Sequence, residues 1–148
     1  MRTLTDAVVA GAHDDAIEGV EVTLRPALEA TADDVLAADG ILLGTPANFG
    51  YMSGALKHFF DSTFLQIGGA LADDGSAGAD SGQGRTRYGL YVHGRYDTTG
   101  AIRSVTSIVE ALPWRRSADV LDILGDVTDA HREQAYELGG TLAALLME

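Results

Sequence analysis

Apolar and polar positions change period repeatedly along the chain, and each change predicts an element. From Leu4 to Ala12, the residues Leu4, Val8, Gly11 and Ala12 share one side at helical spacing, which predicts a helix. Reading Ala7–Ala10 instead as a strand ending at Gly11 leaves only His13–Gly19 for a crossover. That is too few for a parallel connection, which takes a dozen or more residues. Val20-Glu21-Val22-Thr23-Leu24-Arg25 alternates strictly and is closed by Pro26, as expected of an edge strand with one wet face. Thr31, with Asp34 three residues on, resembles a capping box and opens a short helix through Val35 and Leu36, closed at Asp39-Gly40. Ile41-Leu42-Leu43, between Gly40 and Gly44, is the continuous apolar run of a strand buried on both faces. Pro46 has no N–H for a ladder, so Thr45–Gly50 reads as a loop. From Ser53, read as an N-cap, Met52, Leu56, Phe59, Phe60, Thr63 and Phe64 form a helical stripe.

Gln66–Arg87 is rich in Gly, Ala, Ser and Asp, and is expected to be a flexible surface insertion, mobile from Asp73 to Gly84. Tyr88–His93 predicts a strand, Gly94–Gly100 a loop at its carboxyl end, and Ala101–Leu112 an amphipathic helix stopped by Pro113. Ala118–Leu124, interrupted by Asp119 and Asp122, predicts the other edge strand. Thr128 or Asp129 caps a last helix that packs through Ala135, Leu138, Gly139, Leu142, Leu145 and Leu146. Helices alternating with strands predict one α/β domain over residues 1–148, a three-layer sandwich around a parallel sheet.

Composition narrows the function classes. With 46% hydrophobic and 22% charged residues the chain is globular, and its net charge of −12 argues against nucleic acid as a partner. There are no cysteines, hence no disulfide, thiolate nucleophile or Cys metal site, as suits a cytoplasmic protein. The run Ala7–Ala10 is too brief for a secretory leader, and no stretch approaches the ~20 apolar residues of a membrane span. The pairs Asp14-Asp15, Asp33-Asp34 and Asp73-Asp74 lack calcium-loop spacing and read as solvated surface. Ser53 sits in no nucleophile elbow, so a hydrolase is disfavoured.

The segment Thr45–Asp61, TPANFGYMSGALKHFFD, resembles the flavin-contacting loop and following helix of the flavodoxin-like superfamily. It is most similar to the NAD(P)H:quinone oxidoreductase and NADPH-dependent FMN reductase branches. The resemblance implies a flavodoxin-like fold and an FMN-dependent oxidoreductase carrying electrons from NAD(P)H to a quinone or similar small-molecule acceptor. The alternatives it leaves are a flavodoxin-type electron carrier and a truncated, flavin-free relative. It implies that Thr45, Pro46, Ala47, Asn48, Phe49, Gly50, Tyr51 and Met52 form one wall of an FMN site, with Phe49 and Tyr51 as flat neighbours of the ring. His93, Gly94, Tyr96 and Asp97 would form the other, with His93 donating to the ring or a bound quinone and Tyr96 shielding it. No side chain is expected to act as acid or base, and no metal is implied.

The sequence departs from the family's pattern at its start. Such folds open with a central strand and a phosphate-binding loop, whereas here Met1-Arg2-Thr3 leads straight into a helix. The expectation is weak or absent FMN binding in the chain as written. The space left between Val20–Arg25 and Ile41–Gly44 should be closed by direct pairing or by a second copy, making a homo-oligomer.

Overall fold

The computed structural model describes residues 1–69 and 86–147. Helix α1 (Arg2–Ala12) is followed by α2 (Ala32–Ala37), β1 (Gly40–Pro46), α3 (Gly54–Thr63) and β2 (Thr86–Gly94). Then come α4 (Thr99–Val109), β3 (Trp114–Arg116), β4 (Leu121–Leu124) and α5 (Asp129–Leu145). Strands β1 and β2 run parallel with Leu43 opposite Leu90 and Pro46 opposite His93. Both β3 and β4 pair parallel with the far side of β2, Tyr91 meeting Leu121 and Gly94 meeting Leu124.

Side-chain alternation along β2 divides the core into two layers. Tyr88, Leu90 and Val92 pack with Leu43 against α2, α3 and α4 through Val35, Leu56, Phe59, Phe60, Ala101, Val105 and Val109. Tyr91 faces the other way, into a cluster with Leu4 and Val8 of α1, Ala135 and Leu138 of α5, and Ile123. Period-2 alternation in the strand and period-3.6 stripes on the helices therefore meet on both faces of one sheet. The layers are helix, sheet, helix.

Helices α1 and α5 approach through glycine. A β-carbon at Gly11 would lie 1.9 Å from the main-chain oxygen of Tyr136, and one at Gly139 would lie 1.9 Å from that of Val8. Gly44 serves the sheet similarly, leaving room for the Tyr91 ring, whose hydroxyl shares a 2.8 Å hydrogen bond with the Thr5 hydroxyl. Caps formed where the sequence signals them. Thr31 and Asp34 make a reciprocal capping box, the Ser53 hydroxyl accepts from the Leu56 N–H at 3.1 Å, and Thr128 caps α5 in exchange with His131.

Four expectations need correction. Thr45 and Pro46 belong to β1 rather than to the loop expected over Thr45–Gly50, because pairing with β2 runs through the odd-numbered residues of β1 and never calls on the N–H that Pro46 lacks. Val20–Arg25 forms no helix and joins no ladder among the described residues, so it is not a strand, and its direct pairing with β1 does not form. Alternation supplies a wet and a dry face, but a strand also needs a partner's N–H and C=O groups, and none lies alongside. The expected edge strand Ala118–Leu124 is confined to Leu121–Leu124, with an additional short strand at Trp114–Arg116. Trp114 packs against Tyr88 and is buried, while Arg115 and Arg116 are exposed, too short a pattern to read as a strand. Finally, Thr86 and Arg87 belong to β2 rather than to the insertion expected over residues 66–87. The remainder of that insertion from residue 70, including Asp73–Gly84, lies outside the described residues.

Candidate functional site

Both β1 and β2 end at the same edge of the sheet, and the loops that follow them face each other there. One further rung joins them, from the Ala47 N–H to the His93 carbonyl at 2.9 Å. Beyond it the loops separate, leaving a cleft of about 430 Å³. That falls within the ~300–1,000 Å³ usual for small-molecule sites.

The β1–α3 loop is held from beneath by Thr45. Its fully buried hydroxyl donates to the Pro46 carbonyl at 2.8 Å and accepts from the Ser53 N–H at 2.9 Å, tying the start of the loop to its end. Met52 is also buried and fixes the end of the loop in the core. Between them, Asn48 and Tyr51 exchange main-chain hydrogen bonds at 2.8 and 2.9 Å around a two-residue turn. Phe49 has φ 51 and Gly50 has φ 72, both in the left-handed region. Two positive φ values are what a tight two-residue hairpin turn demands. Glycine adopts that state freely, whereas Phe49 holds it at a cost of order ~1 kcal/mol. Its ring is completely exposed, so the cost is not offset by burial.

The β2–α4 loop is tied to the turn after β4. The Gly125 N–H donates to the Gly94 carbonyl at 2.8 Å, and Nε2 of His93 lies 2.6 Å from the Gly125 carbonyl. A carbonyl only accepts, so Nε2 carries the proton, and Nδ1 of the neutral ring is an acceptor. The Thr98 hydroxyl donates to Asp122 at 2.5 Å, and Arg95 meets Asp126 at 3.1 Å. Asp97 accepts from the Thr99 N–H at 2.9 Å, and that bond, then the Thr99 hydroxyl, holds its carboxyl below the usual range. Tyr96 projects from this frame almost wholly exposed.

The cleft thus brings together Pro46, Ala47, Asn48, Phe49 and Gly50 from one loop with His93, Gly94, Tyr96 and Asp97 from the other. Of the residues singled out in the sequence, Thr45 and Met52 lie beneath the cleft, and Tyr51 stands outside its lining with its ring half-exposed. Arg95 lines the cleft without having been singled out. Gly125 and the Thr98–Asp122 bond, which position the second wall, join residues too distant in sequence for any local signal to link them. Among the described residues, the main-chain N–H groups of Phe49, Gly50, Arg95 and Tyr96 have no hydrogen-bond acceptor. No cluster of His, Asp and Glu able to hold a metal ion occurs among the described residues, and no described helix is long and apolar enough to cross a membrane.

A parallel sheet with helices on both faces, and a cleft beyond the carboxyl ends of adjacent strands, is the flavodoxin-like α/β arrangement. Solved structures bear out the fold. A flavodoxin from the domain Archaea superposes with a TM-score of 0.75 over 99% of this chain and 90% of its own, at 17% identity. The flavodiiron protein of Giardia intestinalis does so with 0.73 over 99% of this chain and 33% of its own, at 13% identity. A family model described as NADPH-dependent FMN reductase matches residues 5–120, and the chain belongs to that family. Among curated proteins, a flavodoxin of Aquifex aeolicus (strain VF5) is 39% identical over 70 residues, which are 47% of this chain and 37% of the relative. An NAD(P)H dehydrogenase (quinone) of Syntrophobacter fumaroxidans (strain DSM 10017 / MPOB) is 40% identical over 60 residues, 40% of this chain and 28% of the relative. The matched part is thus well under half the length of either relative.

Proposed function

We propose that this protein is an FMN-dependent oxidoreductase that takes electrons from NAD(P)H and passes them to a quinone or similar small acceptor, with the flavin ring seated in the cleft. The observation that carries the reading is that two exposed aromatic side chains, Phe49 and Tyr96, line one cleft from its two loops, with Ala47, Gly50 and Gly94 among the residues between them. Exposing two large aromatic rings gains nothing in folding. It is favourable once a flat apolar ligand lies against them. Membership of the FMN reductase family supports FMN as that ligand.

The residues present fit such a group. Ala47, Gly50 and Gly94 leave a planar molecule access to main chain, and the unpaired N–H groups of Phe49, Gly50, Arg95 and Tyr96 are donors for the oxygen and nitrogen edge of a flavin. When bound, FMN supplies the two-electron hydride chemistry. This chain supplies stacking surface from Phe49 and Tyr96, fixed dipoles from the loop amides, and exclusion of water on the cleft floor. His93 in its neutral form offers Nδ1 as an acceptor, because its Nε2 proton is committed to Gly125. A donor role toward a ligand therefore requires the imidazolium.

A flavodoxin-type carrier is the second reading. The similarity to the Aquifex aeolicus flavodoxin and the charge of −12, suited to steering basic partners, favour it. Two measurements test the proposal. Fluorescence titration should show FMN binding that Phe49→Ala weakens roughly tenfold, the scale of ~1.4 kcal/mol of stacking. Steady-state NAD(P)H oxidation with a quinone should show turnover. Binding without turnover selects the carrier, and undiminished binding by Phe49→Ala refutes the ring site. Arg95 is the only cation lining the cleft among the described residues, and it is bonded to Asp126. Riboflavin should therefore bind within severalfold of FMN.

A further inference from the structure

Beside the rung from Ala47 to His93, the cleft is held together by two close approaches, and both run through glycine. At the floor, a β-carbon on Gly94 would lie 3.0 Å from that of Ala47, so the second loop lies against the first with no side chain between them. At the rim, a β-carbon on Gly100 would lie 2.1 Å from the carbonyl oxygen of Gly50 and 3.2 Å from its carbon. Gly100 is in the first turn of α4, an 11-residue helix fixed by Ala101, Val105 and Val109 in the core. Gly50 is the second central residue of the turn that carries Phe49. The contact is with backbone, which cannot rotate away as a side chain can.

Nothing in α4 itself calls for glycine at residue 100. Helix propensity opposes it, and no positive φ is recorded there. A glycine disfavoured locally and pressed against a neighbouring carbonyl is explained by the approach it permits. Building on the reading of the cleft as a ring site, we propose that Gly100 is a positioning residue. By seating the Gly50 carbonyl, it holds the Phe49–Gly50 turn in its left-handed conformation and sets the spacing between Phe49 and Tyr96. The seat lets a rigid helix brace an exposed turn that is otherwise closed only by the main-chain hydrogen bonds of Asn48 with Tyr51.

The test compares Gly100→Ala with Gly54→Ala, since a β-carbon at Gly54, on the first turn of α3, meets nothing within 4 Å. The first readout needs no flavin: amide hydrogen exchange at Tyr51, whose N–H closes the turn on the Asn48 carbonyl. Gly100→Ala should accelerate that exchange at least tenfold, with core amides of β2 unchanged, and Gly54→Ala should not. The second readout is FMN titration, where Gly100→Ala should raise Kd roughly tenfold and Gly54→Ala should leave it within twofold. If Gly100→Ala folds with unaltered Tyr51 exchange, or with altered exchange and unaltered Kd, the proposal is overturned. If wild type binds no flavin, the ring-site reading fails, while the exchange arm still decides whether Gly100 places the turn. Should Gly100→Ala not fold, the double variant with Phe49→Gly frees the turn to move. It should fold with an unprotected Tyr51 amide, and its failure would show that Gly100 serves α4 packing rather than the turn.

Discussion

Replacing Thr45 by Val removes one oxygen and almost no volume, and that oxygen is what joins the two ends of the β1–α3 loop. In the native protein the hydroxyl accepts from the Ser53 N–H at 2.9 Å and donates to the Pro46 carbonyl at 2.8 Å, inside a side chain with no exposure. Valine leaves the Ser53 donor unpaired, at ~1–3 kcal/mol for a buried group, and Ser53 is only partly buried, which favours the lower half of that range. Loss of the bond to Pro46 adds ~0.5–1.5 kcal/mol. Relief from burying a hydroxyl, and the preference of valine for strands, offset part of this. A net destabilisation of about 2 kcal/mol follows, or roughly 4–8 °C in Tm for a chain of this length. Urea unfolding followed by far-UV circular dichroism measures it, with the denaturant slope unchanged if only the native state is affected. Thr45→Ser keeps the oxygen and should recover most of the loss. If Thr45→Val lies within ~0.5 kcal/mol of wild type, or Thr45→Ser is as destabilised as Thr45→Val, the hydroxyl is not what holds the loop.

The crossing of α1 and α5 and the link between their ends give two more tests. Gly11→Ala would drive a β-carbon to 1.9 Å from the Tyr136 carbonyl oxygen. It should lose about 1–2 kcal/mol net, overpacking of ~1–3 being partly offset by ~1 of helix propensity, and an unchanged unfolding midpoint would contradict the close approach. The Tyr136 hydroxyl donates to Asp14, which holds that carboxyl below its usual range and raises the phenol above its own. The depressed Asp14 contributes stability present above its unfolded pKa near 3.8 and lost as pH falls through the lower folded value. The raised Tyr136 contributes below about 10 and loses its contribution as pH rises through the higher folded value. Tyr136→Phe should flatten both ends of the profile of unfolding midpoint against pH, and an unaltered profile would dissolve the link.

Much of this fold was legible because its signals are local. The helical stripe Leu4, Val8, Gly11, Ala12 is buried, Ile41–Leu43 is a strand of the sheet, and the caps at Thr31, Ser53 and Thr128 each form with residues three positions away. Pro46, expected to stop the strand for want of an N–H, is instead paired opposite His93, because the side of β1 that bonds to β2 is that of its odd-numbered residues. Of the continuous segment expected to form one wall, Thr45 to Met52, the stretch Pro46 to Gly50 lines the cleft. What was not legible depends on distant pairs. Gly100 is unremarkable until the Gly50 carbonyl is set against it, and Thr98 becomes a brace for the second wall only beside Asp122. Thr45 and Met52 bracket the loop but lie under it, Thr45 because alternation at the strand end turns its side chain inward and Met52 because it packs in the core with Leu56 and Phe60 at the start of α3.

Val20–Arg25 shows the same limit from the other side. Its alternation is the strictest in the chain, yet it makes no ladder, while Gly40–Pro46, with no alternation at all, does. The hydrogen bonds at the two ends of β1 explain the asymmetry. The Arg87 N–H reaches the Asp39 carbonyl, and the Ala47 N–H reaches the His93 carbonyl. Parallel pairing uses every second residue, so the odd-numbered residues of β1 bond to β2. Gly40, Leu42 and Gly44 then direct their N–H and C=O groups to the opposite side, where no described residue pairs with them. A segment with strand-like alternation elsewhere in the chain adds no rung there unless it lies ~4.8 Å from that edge. A hydrophobic pattern selects which face of a strand is dry. Whether the segment is a strand at all is decided by what lies within one hydrogen bond of its edge, a property of pairs of segments that no single stretch of sequence carries.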